Sequence, residues 1–304
     1  MEHSFEQLNA CPCCRHAEHR TFLSCRDHSV SGTLFNITEC AACGHRFTNP
    51  RPSVDDIGPY YKSEDYVSHN DTSKGLLFTL YQTIKSFTLK RKARFIQSIS
   101  QHRTLLDYGA GSGDFAGCMS ALDHSVTAFE PDPDARGLLI SKYPKVKVAP
   151  SLSYIPDDSL GVITLWHVLE HVHALDETIQ HFHRMLKADG VLIIAVPNCG
   201  SYDASYYRSH WAAYDVPRHL YHFRPADMKL LLARNGFKLT AMRPMWFDSF
   251  YVGLLSERYL KASNKGLPLP LQWLRAGFIG LFSNLKALND TSTCSSVVYV
   301  LRKD

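Results

Sequence analysis

The chain has 304 residues, of which 45% are apolar and 20% charged, with 17 glycines and 15 prolines. That balance excludes disorder, collagen and coiled coil, and it allows one large α/β domain plus a small module. The net charge of +4 falls short of the dense basic stripe of a nucleic-acid protein, so nucleic acid is not the expected partner. The longest apolar stretch, 267–285, is broken by Pro268, Pro270, Gln272 and Arg275, so no segment reads as a membrane span. The first residues lack the basic-then-apolar pattern of a leader, and a cytoplasmic protein is the expectation.

Six of the nine cysteines fall within the first 43 residues. In a reducing compartment such clustering points to metal ligation before disulfides. CPCC and CAACGH supply two C-x-x-C pairs, Cys11/Cys14 and Cys40/Cys43. A two-residue gap lets one tight turn point both sulfurs at one ion, and tetrahedral zinc wants four thiolates. The intervening TFLSC and TLFNITEC read as short strands, which predicts a zinc ribbon over residues 1–50. Cys13 is an alternative ligand, with Cys25 and His45 in reserve. Four sulfurs close the coordination sphere, so the zinc should be structural.

From Asn49 to Asn70 turn formers and tyrosines predict a linker. Over 74–98, Leu77, Leu80, Tyr81, Ile84, Phe87 and Phe95 recur at helical spacing, and Lys85, Lys90, Arg91, Lys92 and Arg94 form a solvated opposite face. Residues 101–245 then alternate strand and helix signals. TLLDYG, SVTAFEPD, VKVAP, GVITLWHV and VLIIAVPN read as strands, and Leu175, Ile179, Phe182, Leu186 and Met228, Leu231, Leu232 mark helices between and after them. The pattern predicts a parallel sheet covered on both faces, with ligands at the carboxyl ends of its strands. The last strand, SSVVYVLRKD, should pair antiparallel with KLTAMRP, after a helical insert over 246–292.

LLDYGAGSGDF places Asp107-x-Gly109-x-Gly111-x-Gly113 at the end of the first of these strands. A dinucleotide fingerprint would need glycine at 114, where Asp114 stands. The tight turn after an acid instead suits a cofactor with a cationic amine and no pyrophosphate. Glu130, closing the second strand, can accept both hydroxyls of a ribose.

LLDYGAGSGDF, AFEPD, the HVLEHV run and VLIIAVPN stand in the order found in class I S-adenosylmethionine-dependent methyltransferases, which the chain resembles. The N-terminal cysteine pairs, the PRPS segment and the HWAAYDVPRHLYHF block extend the likeness to a bacterial family that includes deoxysugar C-methyltransferases with a zinc-binding domain. The resemblance implies a Rossmann-like seven-stranded sheet over 101–304, preceded by a linker and helix over 51–100. It implies S-adenosylmethionine as cofactor, its methionine part against Asp107, Gly109, Gly111 and Gly113, its ribose on Glu130, and its adenine near Ser151 and Leu152.

The acceptor is less defined. The N/D-P-P-Y/F motif of DNA amine methylation is replaced by TLWHVLEH, and no cysteine nucleophile for pyrimidine carbon methylation is present. A small-molecule acceptor, such as a sugar or lipid-linked metabolite, is the expectation. An RNA methyltransferase with a zinc module and a non-catalytic scaffold are the alternatives. The family's E-H pair reads Arg218-His219 here. His219 is then the expected base, with His167 and Tyr221 orienting the acceptor and Arg218 free to clamp an anionic group. The block 209–223 and Tyr60, Tyr61, Tyr66 and His69 are expected to wall the substrate site. The apolar insert suggests a lid, a dimer interface, a pocket for a lipid-like acceptor or simply buried structural helices, and a peripheral membrane contact stays open.

Overall fold

The computed structural model describes residues 4–62 and 76–304. Its centre is a seven-stranded sheet made of β6 (Thr104–Tyr108), β7 (Ser125–Phe129), β8 (Lys147–Val148), β9 (Leu160–Trp166), β10 (Leu186–Pro197), β12 (Phe237–Pro244) and β13 (Ser296–Lys303). In space the order is β8-β7-β6-β9-β10-β13-β12. The first five strands run parallel, and β13 lies antiparallel between β10 and β12. The predicted pairing of the last strand with KLTAMRP is therefore present, from Phe237↔Lys303 to Pro244↔Val297.

Both faces of the central strands are covered, which explains why β9 and β10 read as nearly unbroken apolar runs. Period-two alternation divides them: Leu105, Val162 and Ile193 enter one core, while Leu106, Ile163 and Ile194 enter the other. The first face packs against α1 (Leu76–Ile99) and α2 (Asp114–Ser120). The second is covered by α4 (Leu175–Met185), in which Leu175, Ile179, Phe182 and Met185 form a buried stripe, and by α6 (Pro225–Arg234). Between them in sequence, α3 (Pro133–Lys142) follows β7, and α5 (Tyr202–Tyr207) follows β10.

The ribbon consists of β2 (His19–Arg26), β3 (Leu34–Cys40) and β4 (Arg46–Thr48), which pair antiparallel, β2 and β3 being the two strands expected from sequence. It is not a separate bead. A fourth strand, β11 (Tyr221–His222), reaches in from the block after β10 and pairs with β4 at Tyr221↔Phe47 and His222↔Arg46. A two-residue β1 (Phe5–Glu6) pairs with β5 (Arg51–Pro52), which places part of the expected linker inside the packed structure. Cys11, Cys13, Cys40 and Phe47 belong to the same apolar core as Leu106 and Ile194. The ribbon and the large sheet thus share one core.

The insert is a helical hairpin, α7 (Asp248–Ala262) and α8 (Leu269–Asn289). Gly253 and Gly280 allow close approach: a Cβ at Gly280 would stand 2.7 Å from the Phe250 ring. The outer face of α8 leaves Trp273, Leu274, Phe278 and Leu288 exposed. Among the described residues no helix is long and apolar enough to cross a membrane.

Candidate active site and metal centre

The turn after β6 is held by its backbone. Gly109, Gly111 and Gly113 all have positive φ, at 71°, 55° and 80°, a region that costs a residue with a Cβ. Their surroundings differ. A Cβ at Gly109 would meet Val168 at 2.5 Å, and one at Gly113 would meet Leu139 at 2.6 Å. Those two glycines are required by the protein's own packing. Nothing lies within 4 Å of a Cβ at Gly111, so this is the glycine that faces open space, as a cradle for a ligand requires.

Glu130 closes β7 beside that space. Its Oε2 accepts from the Gly111 amide at 2.7 Å and its Oε1 from the Asp132 amide at 2.9 Å. Burial raises its pKa, and the two amides pull the other way. Each carboxylate oxygen keeps a lone pair for a further donor, such as a ribose hydroxyl. Asp107 is buried at the end of β6, where the Thr164 hydroxyl donates to it at 2.9 Å. Burial pushes its pKa up to about 7, against the lowering pull of Thr164 and Lys92. Ser151 and Leu152 follow β8 at the same carboxyl edge of the sheet. The Ser151 hydroxyl pairs with Ser153 at 2.5 Å, and the Leu152 side chain turns into the core.

The basic face of α1 is not uniformly solvated, contrary to the sequence expectation. Lys85 pairs with Asp114 at 2.6 Å. The Lys92 ammonium sits 4.1 Å from the Trp166 ring centroid. Burial lowers the Lys92 pKa, opposed by the charges of Asp248 and Asp107. Two of the five basic residues thus point toward the carboxyl edge of the sheet.

The HVLEHV run turns over that edge directly after β9. His167 adopts φ 58°, and its Nε2 lies 3.1 Å from Asp248 Oδ2 at the start of α7. Burial would lower its pKa, but Asp248 and Glu170 outweigh burial and raise it to about 9. At neutral pH His167 is therefore an imidazolium paired with Asp248, which suits an orienting role and not a base. Three residues on, Glu170 is fully buried and neither carboxylate oxygen has a hydrogen-bond partner. His171 and His219 stand beside it, their rings edge to face with centroids 4.6 Å apart. His219 Nδ1 is 2.8 Å from the Ala213 carbonyl, and His171 Nδ1 is 3.0 Å from the Arg218 carbonyl and 3.1 Å from the Tyr61 hydroxyl. Burial, then the charge of His219, pushes the His171 pKa down to about 4.

Three sequence expectations differ from the structure. The Tyr221 hydroxyl accepts from Arg51 Nη1 at 3.0 Å and donates to the His173 carbonyl at 3.1 Å. It ties the ribbon to the large domain and has no freedom to orient an acceptor. Arg218 is equally committed: it donates to Asp215 at 2.6 and 3.0 Å, to Asp27 at 3.0 Å and to the Tyr60 carbonyl at 2.9 Å. These partners leave no role as an anion clamp. Most of the 209–223 block is core and not substrate wall, His219 being the member that stands beside Glu170 and His171. Trp211, Tyr214, Val216, Leu220 and Phe223 are all buried, and Trp211 Nε1 donates to Asp203 at 2.8 Å. Tyr66 and His69 lie outside the described residues.

The four predicted cysteines converge. Cys11 Sγ is 3.7 Å from Cys43 Sγ, and Cys14 Sγ is 3.5 Å from Cys40 Sγ. All four sulfurs lie within 4.8 Å of one another. A tetrahedron with metal–sulfur bonds of about 2.3 Å has edges of about 3.8 Å, so the donor set fits zinc. Cys13 points away and donates to the Asp227 carbonyl at 3.3 Å. Cys25 is buried in a different core, with Phe35 and Trp211. His45 is buried and stacked on Phe223, outside the sulfur cluster.

This architecture, strand order and glycine turn define a class I methyltransferase fold. A family model described as a methyltransferase domain matches residues 81–242. The chain belongs to that methyltransferase domain family. It is 24% identical over 181 residues to a probable S-adenosylmethionine-dependent methyltransferase of Mycobacterium tuberculosis, covering 55% of this chain and 63% of that protein. The chain thus spans less than two thirds of that relative's length. It is 23% identical over 222 residues to the demethylmenaquinone methyltransferase of Chlorobaculum parvum, covering 66% of this chain and 88% of that one. Among solved structures, a methyltransferase from Archaeoglobus fulgidus aligns at 18% identity with a TM-score of 0.48, over 75% of this chain and all of that one.

Proposed function

We propose that the protein transfers a methyl group from S-adenosylmethionine to a small-molecule acceptor, and that its ribbon holds one structural zinc. The observation that carries the reading is the open, positive-φ turn at Gly111, flanked by the Asp107 and Glu130 carboxylates. S-adenosylmethionine, when bound, supplies a methyl group on a good leaving sulfur. The chain's own contribution is then to hold the cofactor and place the acceptor. Asp107 lies where a cationic amine is wanted, Glu130 takes the ribose, and Ser151 and Leu152 border the adenine side.

The acceptor side is formed by the residues after β9. Val168 touches the Gly109 position, so the Glu170, His171 and His219 group stands next to the cofactor turn. One ring nitrogen of His219 lies within 4.8 Å of the ligand atoms of Glu170 and His171, and an imidazole there would be the group to take a proton from an acceptor. A small acceptor is supported by the modest net charge and by the diversion of Lys85 and Lys92 from any basic stripe. The Chlorobaculum relative's name, a demethylmenaquinone methyltransferase, is that of a small-molecule enzyme. For the ribbon, four converging sulfurs close a tetrahedral sphere, so its ion would stabilise the fold and take no part in methyl transfer.

Isothermal calorimetry should detect S-adenosylmethionine binding to the wild-type chain and none to Gly111→Val, with both proteins folded. Unchanged affinity in that variant would sink the reading. A screen of metabolite extracts for enzyme-dependent gain of a labelled methyl group would then name the acceptor.

A further inference from the structure

Glu170 presents a problem that the cofactor site does not solve. Its side chain is fully buried, and both carboxylate oxygens lack a hydrogen bond. A buried carboxylate in that state is costly unless a cation compensates it. The nearest side-chain cation is His167, whose Nδ1 is 3.7 Å from Oε1: it compensates part of the charge but is beyond hydrogen-bond reach. His167 is in any case engaged at 3.1 Å by Asp248.

The two neighbouring histidines are arranged for a metal ion. A carbonyl can only accept, so the contact to Ala213 fixes the His219 ring proton on Nδ1, and the Arg218 carbonyl favours the same tautomer in His171, whose Nδ1 also meets the Tyr61 hydroxyl at 3.1 Å. In that tautomer the lone pair is on Nε2 in both rings. Among the described residues no hydrogen bond reaches either Nε2: the Asp215 carboxylate is 3.9 Å from that of His219. Asp215 itself is occupied by Arg218. A histidine that donates Nδ1–H to a carbonyl and presents a bare Nε2 is the usual arrangement of a metal ligand and its supporting contact. One ligand atom from each of Glu170, His171 and His219 lies within 4.8 Å of the other two.

We propose that Glu170, His171 and His219 form a second metal site, distinct from the four-cysteine centre, which takes a divalent first-row transition cation. Two imidazoles and one carboxylate suit manganese, iron or zinc more than magnesium or calcium. Three protein ligands leave coordination positions open, as catalytic sites do and the four-sulfur centre does not. Of the three, His171 is half-buried while Glu170 and His219 are buried.

This inference rests on the methyltransferase reading only for its chemical consequence, which narrows the acceptor to one with a hydroxyl group. An oxygen bound at the open side loses its proton to water more readily. Its lone pair then forms the bond to the methyl carbon, while the carbon–sulfur pair leaves on sulfur. His219 would in that case act as a ligand and not as the base.

The test uses the full chain with its ribbon zinc in place and manganese(II) as probe, which favours nitrogen and oxygen donors over thiolates. Electron paramagnetic resonance of the free ion should show about one saturable manganese site per wild-type chain, displaced by added zinc, as a single open site predicts. Glu170→Gln and the His171→Gln/His219→Gln pair should each lose that binding while retaining ribbon zinc and S-adenosylmethionine affinity. Should Glu170→Gln fail to fold, the histidine pair carries the same test. Wild-type protein with no saturable manganese site and no zinc beyond one per chain would overturn the proposal, as would undiminished binding in the folded variants. Loss of cofactor binding by the wild type would count against the methyltransferase reading alone.

Discussion

The four-cysteine centre and the Glu170–His171–His219 group are both clusters of ligand atoms within 4.8 Å, but they are assembled differently. Each C-x-x-C pair is made by one tight turn, so half of the sulfur site is local in sequence. The second cluster joins a turn after β9 to a residue 48 positions later, and its histidines are held at Nδ1 by the carbonyls of Ala213 and Arg218 and the hydroxyl of Tyr61. A site built from local turns is tied to local folding, whereas one built across the domain depends on the packing of everything between. Perturbations should therefore act on the first as a loss of fold and on the second as a loss of function.

The largest effect is expected at the ribbon. Cys14→Ser/Cys40→Ser should abolish zinc binding, since the free energy of a structural zinc is folding free energy of about 10–16 kcal/mol in small peptides. Because Cys11 and Cys40 share a core with Leu106 and Ile194, the loss should lower the melting temperature of the whole chain. Metal analysis with calorimetry checks this; an unaltered melt would mean that the ribbon is dispensable to the large domain.

Next is Arg218→Met, which leaves the buried Asp27 and the half-buried Asp215 without their guanidinium. Removing one partner of a buried ion pair costs about 3–5 kcal/mol. Urea denaturation should show that loss. A change below about 1 kcal/mol would restore Arg218 as a group available to substrate.

Glu130→Ala should weaken S-adenosylmethionine binding by about 1.5–3 kcal/mol through loss of charge-assisted contacts. Calorimetry reads this directly, with the melting temperature of the free protein reporting how much of the effect comes from the Gly111 and Asp132 amides that lose their acceptor. Affinity within error of wild type would remove Glu130 from the cofactor site.

The smallest effect concerns Asp248→Asn. His167 has a folded pKa of about 9, above its ordinary value of 6.5. A histidine with a raised pKa contributes stability that is full below the unfolded pKa and is lost as pH rises through the folded one. Wild-type stability should therefore fall between about pH 6.5 and 9 from this pair, and Asp248→Asn should flatten that part of the profile. The imidazole is partly exposed, so the slope should be modest. An NMR titration of His167 that stays near 6.5 in the wild type would dispose of the pairing.

Much of this molecule is legible from its residues. The C-x-x-C spacing, the strand-and-helix alternation and the D-x-G-x-G-x-G turn each act over a few residues, and the structure places all three where the spacing requires. Local pattern could not reveal why the glycines differ: Gly109 and Gly113 are dictated by Val168 and Leu139, and only Gly111 by open space. Nor could it separate core from site in the 209–223 block. Its aromatics pack, Tyr221 and Arg218 are consumed by Arg51, Asp27 and Asp215, and β11 completes the ribbon sheet.

The missed residue is Glu170. It stood in plain view between His167 and His171 in HVLEHV, with its charge as the available signal. Period alone does not say whether a carboxylate is solvated or buried. Sequence by itself determined the family, the order of the strands along the chain and the identity of the four sulfurs, because these depend on near neighbours and turn chemistry. Only the tertiary structure decided which polar groups have their hydrogen bonds satisfied and which remain open, because that is set by carbonyls and side chains that folding brings from far along the chain.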